Sequence, residues 1–249
     1  MKCIVLAAGY ATRLYPLTEN FPKPLLEVNG ISILDYLLRD IDKIDGLDGH
    51  IIVSNHRYYE HFVKWEKENT AITKPITVLD DGSTSNETRL GAVRDIQFAI
   101  DQMGLDEDIL VIAGDNLVDF PFKGFVDFAN KNDASAVMAS QENDIAELRR
   151  CGVMIPDENM KIVSMEEKPQ EPKSNWCVGP FYYYRKEDLP LIAQGIADGC
   201  GVDAPGHLVC YLCEKTPIYA YVMPGKRYDI GDLESYEYVK SVYNYPASL

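Results

Sequence analysis

Positive charge is scarce in this chain of 249 residues: 24 Lys and Arg stand against 39 Asp and Glu, for a formal net charge of −15. That deficit removes the basic footprint with which a protein holds nucleic acid or an anionic membrane, so neither is expected as a partner. A small anionic ligand is still compatible, because a few local cations and a metal ion can hold it against the average field. Long apolar runs are missing as well. No stretch approaches the ~20 residues that span a bilayer, and the opening "MKCIVLAAG" is too short, and too soon interrupted by glycine, for a secretory signal. The expected location is the cytoplasm. Cysteine occurs at positions 3, 151, 177, 200, 210 and 213 without any of the usual zinc spacings, which reads as six reduced thiols. Cys200, His207, Cys210 and Cys213 are close enough in sequence for a zinc site to be weighed. Their single C-x-x-C lies in a helix-like segment, however, and small apolar residues on a buried helix face is the preferred reading. Two glycine signatures are absent too. The first loop reads Gly9-Tyr10-Ala11-Thr12-Arg13-Leu14, which is neither the G-x-G-x-x-G of a dinucleotide fold nor a G-x-x-x-x-G-K-[ST] phosphate loop.

What is present is an alternation. "KCIVLA", "HIIVSN", "ITVLD" and "DILVIAGD" read as buried strands, and between them "SILDYLLRDIDKI", "YYEHFVKWEKEN" and "RLGAVRDIQFAIDQM" read as amphipathic helices. This order predicts an α/β fold: a doubly wound, mostly parallel (mixed), Rossmann-like sheet with helices on both faces and ligands beyond the carboxyl ends of the strands. The second half is more mixed. "ASAVMAS", "CGVMIP", "KIVSMEE", "CVGPFYYYR" and "IYAYVMP" look like strands, while "DLPLIAQGIADG", "APGHLVCYLCEK" and "LESYEYVKSVYN" look helical. No repeat, low-complexity segment or linker divides the chain, so one domain over 1–249 is expected.

Four segments carry candidate chemistry. In "IVLAAGYATRLYPLTENFPKPLLEV" a strand breaks into a loop whose backbone N–H groups can face an anion. Gly9 permits close approach or positive φ. Arg13 supplies a fork for phosphate oxygens and Lys23 a point charge; the prolines on either side of Lys23 bias its neighbourhood to extended backbone. A bland strand-to-helix turn is the alternative. In "VIAGDNLVDF", Asp115 ends a strand, where a carboxylate can hold Mg²⁺ together with substrate phosphates or can simply cap a turn. In "SMEEKPQEPKSNWCVG", one of Glu166 and Glu167 could accept hydroxyls and Lys168 could bind phosphate; a solvated charged turn is the alternative. In "RYDIGDLESY", Asp229 lies between a strand and the last helix, with Asp232 the better candidate for the helix cap.

Taken together, "LAAGYATRLYPLTENFPKPLL", "GDN", "EEKPQEPKSNWCVGPFYYY" and "YDIGDLESY" resemble, in order and spacing, the sugar-1-phosphate nucleotidyltransferases, the nucleoside-diphosphate-sugar pyrophosphorylases such as glucose-1-phosphate thymidylyltransferases. The resemblance runs from residue 2 to about 240. It implies a nucleotide-binding half over about 1–120 and a sugar-phosphate-binding half over about 121–249. It further implies that Arg13 contacts the nucleotide triphosphate and Lys23 the reacting phosphates, as the catalytic cations. Leu6, Ala7, Ala8 and Gly9 would line the nucleoside, with Asn86 and Gly91 in the base-reading segment. Asp115 and Asp229 would hold Mg²⁺. Gly152, Glu167 and Val178 would contact the sugar, and Lys168 its phosphate. The implied reaction is in-line attack of a sugar 1-phosphate on the α-phosphorus of an NTP, with pyrophosphate leaving and no general base required. dTTP or UTP and glucose 1-phosphate are the favoured pair, and self-association is left open.

Departures from the pattern bear on the details. Ala11 stands where many members carry Gly, "STSNETRLGAVRDI" replaces the usual base-reading segment, and Arg227 or Tyr228 replaces a usual Trp. Two alternatives follow: a cytidylyltransferase acting on another phosphorylated or phosphonylated small molecule, and a non-catalytic nucleotide-sugar sensor.

Overall fold

The run Lys2–Leu6 forms a strand in which Cys3, Ile4 and Val5 are fully buried, as a continuous apolar sequence requires when both strand faces are covered. The computed structural model describes residues 1–244. Contacts divide them into two compact units, one built from Met1–Leu90, Ile112–Lys123 and the chain from Gly225 onward, the other from Gly91–Val111 and Gly124–Pro224. The fold class is the expected one, a mixed sheet with helices, and each unit shows one side of that mixture.

In the first unit Lys2–Leu6, Gly49–Ser54 and Ile76–Asp80 pair in parallel, Leu6 opposite Val53 and Val53 opposite Leu79. Parallel strands need crossovers, and helices supply them. Ile33–Ile41 buries Ile33, Leu34, Leu37, Leu38 and Ile41, the i, i+3, i+4 stripe of its sequence. Ser32 caps it, its Oγ accepting from the Asp35 N–H at 2.9 Å. Tyr59–Glu68 is the second crossover helix. A short antiparallel ribbon pairs Asn116–Val118 with Arg227–Asp229. Behind it the helix Leu233–Val242 starts at Asp232, whose carboxylate accepts from the Ser235 N–H at 2.8 Å.

The second unit is largely antiparallel. Gly152–Pro156 pairs with Ile162–Glu167 and with Trp176–Tyr184, and the last of these also pairs with Ser135–Gln141. Ile218–Val222 lies parallel to Ser135–Gln141. Helices Leu189–Ala197 and Pro205–Leu212 fall where the sequence places them. The helix Lys123–Asn132, which buries Phe125, Val126 and Ala129, does not appear in the sequence reading.

One expectation is corrected here. Cys151 and Cys177 form a disulfide, their Cα atoms 6.0 Å apart, because the pairing of Cys177 with Val153 brings it beside the start of the neighbouring strand. Cys3, Cys200, Cys210 and Cys213 are free thiols. Among the described residues no helix is long and apolar enough to cross a membrane.

Candidate active site

In the first unit, the loop after Lys2–Leu6 is held by hydrogen bonds from side chains far along the chain. Asn55 Nδ2 donates to Ala8 O at 2.9 Å, and Thr18 Oγ1 donates to Ala11 O at 2.8 Å. Tyr58 OH donates to Thr18 O at 2.6 Å, and Tyr10 OH to Ser83 O at 3.0 Å. The four anchoring side chains, those of Tyr10, Thr18, Asn55 and Tyr58, are all buried. Gly9 is exposed, and a Cβ there would meet nothing within 4 Å, so the glycine leaves open space for a ligand. The left-handed residue of the loop is Ala11, at φ 45°, and not Gly9. Leu6 is half-buried, Ala7 and Ala8 buried, and Arg13 exposed.

Lys23 is drawn inward. It opens a 3-10 turn, Lys23–Leu25, in place of the extended backbone its prolines suggest, and it is 6% exposed. Burying an ammonium requires a partner. Its Nζ lies 2.7 Å from Asp115 Oδ2, while Asn116 Nδ2 donates to Asp115 Oδ1 at 2.7 Å. Burial pushes the Asp115 carboxyl up, but Lys23, Asn116 and the more distant Arg227 together hold it below the usual range. The side chain keeps 39% of its surface open, so these attractions are partly screened and a face remains available.

Asp229 reaches the same region through the ribbon, whose register sets it opposite Asn116, one residue from Asp115. Arg227 Nη1 donates to Asn116 Oδ1 at 2.6 Å and lies 3.9 Å from Asp229 Oδ1. A Cβ built on Gly231 would stand 3.6 Å from Asp229 Oδ2 and 3.7 Å from Arg13 Nη1, so Arg13 also converges here. Arg13, Lys23, Asp115 and Asp229 are thus gathered in one unit. Asn116 and Arg227, which sequence reasoning passed over as functional groups, tie the carboxylates together. The tripeptide "GDN" already contained the first of them; the second depends on strand pairing across more than a hundred residues.

This donor set fits Mg²⁺. Two hard carboxylates are what the ion takes from a protein when phosphates and water complete its shell, and each Asp115 oxygen has one hydrogen bond and a second lone pair to offer. Among the described residues no group of three or more His, Cys, Asp and Glu is arranged to hold a metal ion.

The base-reading candidates part company. Asn86 is exposed, its carbonyl accepting from Arg89 Nη1 at 2.9 Å. Gly91, at φ 91°, starts the helix Ala92–Met103, and a Cβ there would meet Val202 O at 2.6 Å. Its missing side chain is explained by that packing.

In the second unit, the sugar candidates fall into one row. Glu167 is directly opposite Gly152, and Gly152 directly opposite Val178, on three adjacent strands. Residues paired in this way share a sheet face. Glu166 points the other way and pairs at the surface with Lys173, Nζ 2.5 Å from Oε1. Burial pushes the Glu167 carboxyl above its usual range, against the opposing pull of Lys168 and His207. Lys168 is exposed at φ 50°, its N–H donating to Cys151 O at 3.0 Å. The helix carrying His207 and Cys210 packs on the strand of Glu167. Burial chiefly pushes the Cys210 thiol up to about 12, which keeps it a neutral, inert thiol.

The sequence profile described as nucleotidyl transferase matches residues 2–244. Among curated relatives, a glucose-1-phosphate adenylyltransferase of Fervidobacterium nodosum is 26% identical over 94% of this chain and 59% of its own length. A putative mannose-1-phosphate guanyltransferase of Sulfolobus acidocaldarius is 27% identical over 93% and 60%. The chain therefore spans about three fifths of these relatives. Among solved structures, a UDP-glucose pyrophosphorylase complexed with UDP-glucose superposes with a TM-score of 0.83 at 21% identity, covering 97% of both chains. That last likeness is one of fold.

Proposed function

The chain belongs to the nucleotidyl transferase family, and on that premise we propose that it transfers a nucleotidyl group from an NTP to a sugar 1-phosphate, releasing pyrophosphate. The favoured pair is dTTP or UTP with glucose 1-phosphate. The observation that carries this reading is the ion pair of buried Lys23 with partly open Asp115, placed beside Asp229 and Arg13.

A sugar 1-phosphate is already an anionic nucleophile, so the protein has no proton to remove before attack. Its task is to bring two anions together and to neutralise the charge that develops on the phosphates. The open backbone at Gly9 and the buried Ala7 and Ala8 supply the nucleoside's resting surface. Arg13 and Lys23 offset the charge of the triphosphate, and Lys168 that of the acceptor phosphate. Lys23 is held ready by Asp115, and Asn116 and Arg227 fix that carboxylate in turn, so little reorganisation is needed when the phosphates arrive. Glu167 accepts hydroxyls of the acceptor, beside Gly152 and Val178. Mg²⁺, held by Asp115 and Asp229, would supply Lewis-acid charge neutralisation at phosphate oxygens.

The test is a matrix of four NTPs against sugar 1-phosphates and phosphocholine with Mg²⁺, read by pyrophosphate release. Release that requires both an NTP and a sugar 1-phosphate is expected. Release with phosphocholine alone would establish the cytidylyltransferase alternative, and binding without release the sensor.

A further inference from the structure

Glu167 sits in a slot made by two glycines from different elements. A Cβ at Gly152 would overlap Met165 Cε and come within 2.9 Å of Glu167 Oε2. A Cβ at Gly206, in the first turn of the helix Pro205–Leu212, would overlap Glu167 Oε2 itself, with Glu167 Cδ at 2.9 Å and Met165 Cε at 3.2 Å. Met165 and Glu167 point to the same face of their strand, two residues apart, and Met165 is buried. The side chains of both thus fill the room that the two glycines leave.

The carboxylate in that slot accepts no hydrogen bond from any described residue, and only the charges of Lys168 and His207 offset its burial. A partly buried carboxylate without donors is costly to a fold. The same strand could have turned an apolar side chain into this space, as Met165 shows. A donor from outside the chain would account for what the protein leaves unpaired, and a polyol brings adjacent O–H groups.

We propose that Gly206 is a positioning residue for the acceptor: by carrying no side chain it lets the Glu167 carboxylate lie in the first turn of its helix, with oxygens free for sugar hydroxyls. Gly152 opens the same slot from the neighbouring strand. This rests on the reading of Glu167 as the group that holds the acceptor. His207, next in the chain, packs its ring against Gly201, where a Cβ would come within 2.6 Å of Cγ.

The experiment compares wild type, Gly206→Ala, Glu167→Asp and the double variant by steady-state kinetics and by calorimetric binding of glucose 1-phosphate. An added methyl moves the carboxylate, so Gly206→Ala raises the acceptor KM and Kd about tenfold to a hundredfold and leaves the NTP KM within about twofold. Shortening the acid by one methylene draws it back from the methyl, so the double variant binds the acceptor more tightly than Gly206→Ala alone. Thermal melting of all four proteins separates these effects from unfolding. Acceptor binding unchanged in Gly206→Ala overturns the proposal, as does equal loss for both substrates with no recovery in the double variant. Because calorimetry needs no turnover, a wild type that binds glucose 1-phosphate but releases no pyrophosphate overturns the proposed function alone. A wild type that binds no sugar 1-phosphate overturns both.

Discussion

Replacing Lys23 by methionine removes one charge and keeps most of the side chain's volume. Lys23 is 6% exposed, and its Nζ lies 2.7 Å from Asp115 Oδ2, so the substitution strips a carboxylate of its shortest charged partner. An exposed pair is worth about 0–1 kcal/mol, and breaking a fully buried one costs about 3–5. Asp115 keeps 39% of its side-chain surface in solvent and retains the Asn116 donor, which places the expected loss of stability between them, at about 1–3 kcal/mol. For a chain of this size that is a fall in Tm of roughly 2–12 °C. The effect on catalysis is larger. Removing one preorganised group that offsets transition-state charge costs about 2.7–4 kcal/mol of barrier, a loss of about 10²–10³ in kcat. Adding Asp115→Asn to Lys23→Met restores much of the stability, because no bare carboxylate remains, and restores none of the turnover. Denaturant titration and pyrophosphate release on the same preparations read the two effects separately. A folded Lys23→Met protein within about threefold of wild-type kcat would exclude Lys23 from offsetting transition-state charge.

Ala11→Gly relieves a Cβ at φ 45° and loses unfolded-state restriction, for a net gain of about 1 kcal/mol or less with kcat unchanged; a drop in denaturant midpoint would contradict it. Ser32→Ala deletes the cap of Ile33–Ile41 and lowers stability by about 1 kcal/mol, read from the same titration. Acid weakens the fold through His50 and Asp42, whose Nε2 and Oδ1 are 3.0 Å apart. Burial, outweighing Asp42, lowers the pKa of His50, while hydrogen bonds from Thr73, His50 and Lys74 outweigh burial and hold Asp42 at about 2. Both groups bind protons more readily unfolded. Their contributions are therefore complete above the unfolded pKa values and are lost on acidification, that of His50 below about pH 6.5 and that of Asp42, about 2 kcal/mol, between about pH 4 and 2. A midpoint that stays flat from pH 7 to 5 would contradict the His50 part. Chelation of divalent cations abolishes turnover and Mg²⁺ restores it, and Asp229→Asn raises the half-saturating Mg²⁺ at least about tenfold; turnover in excess chelator would exclude the metal.

Where local pattern and tertiary demand agree, the sequence is easily read. "ITVLD" is β-branched and bounded by turns, and the strand is Ile76–Asp80. The periodic "SILDYLLRDIDKI" becomes Ile33–Ile41 with its Ser cap. Lys123–Asn132 escapes because its "KGFVDFANKN" has a glycine at the second position and aromatic residues that weaken helix propensity; burial of Phe125, Val126 and Ala129 overrides this. The site divides in the same way. Lys23, Asp115 and Asp229 lie in motifs whose local chemistry is visible. The link from Arg227 through Asn116 to Asp115 requires the ribbon's register, which no short motif encodes. Gly91 and Gly206 show the limit most sharply. In sequence both are helix-start glycines, and only the folded chain shows which atoms face them, Val202 O in one case and Glu167 Oε2 in the other.

The proposed transfer moves the α-phosphoryl end of the nucleotide. An NTP carrying label in its α-phosphate, incubated with glucose 1-phosphate and Mg²⁺, is predicted to place that label in a nucleotide sugar with one unlabelled pyrophosphate released for each product formed. Label left in a nucleoside diphosphate, with the γ-phosphate passed to the sugar, would contradict nucleotidyl transfer.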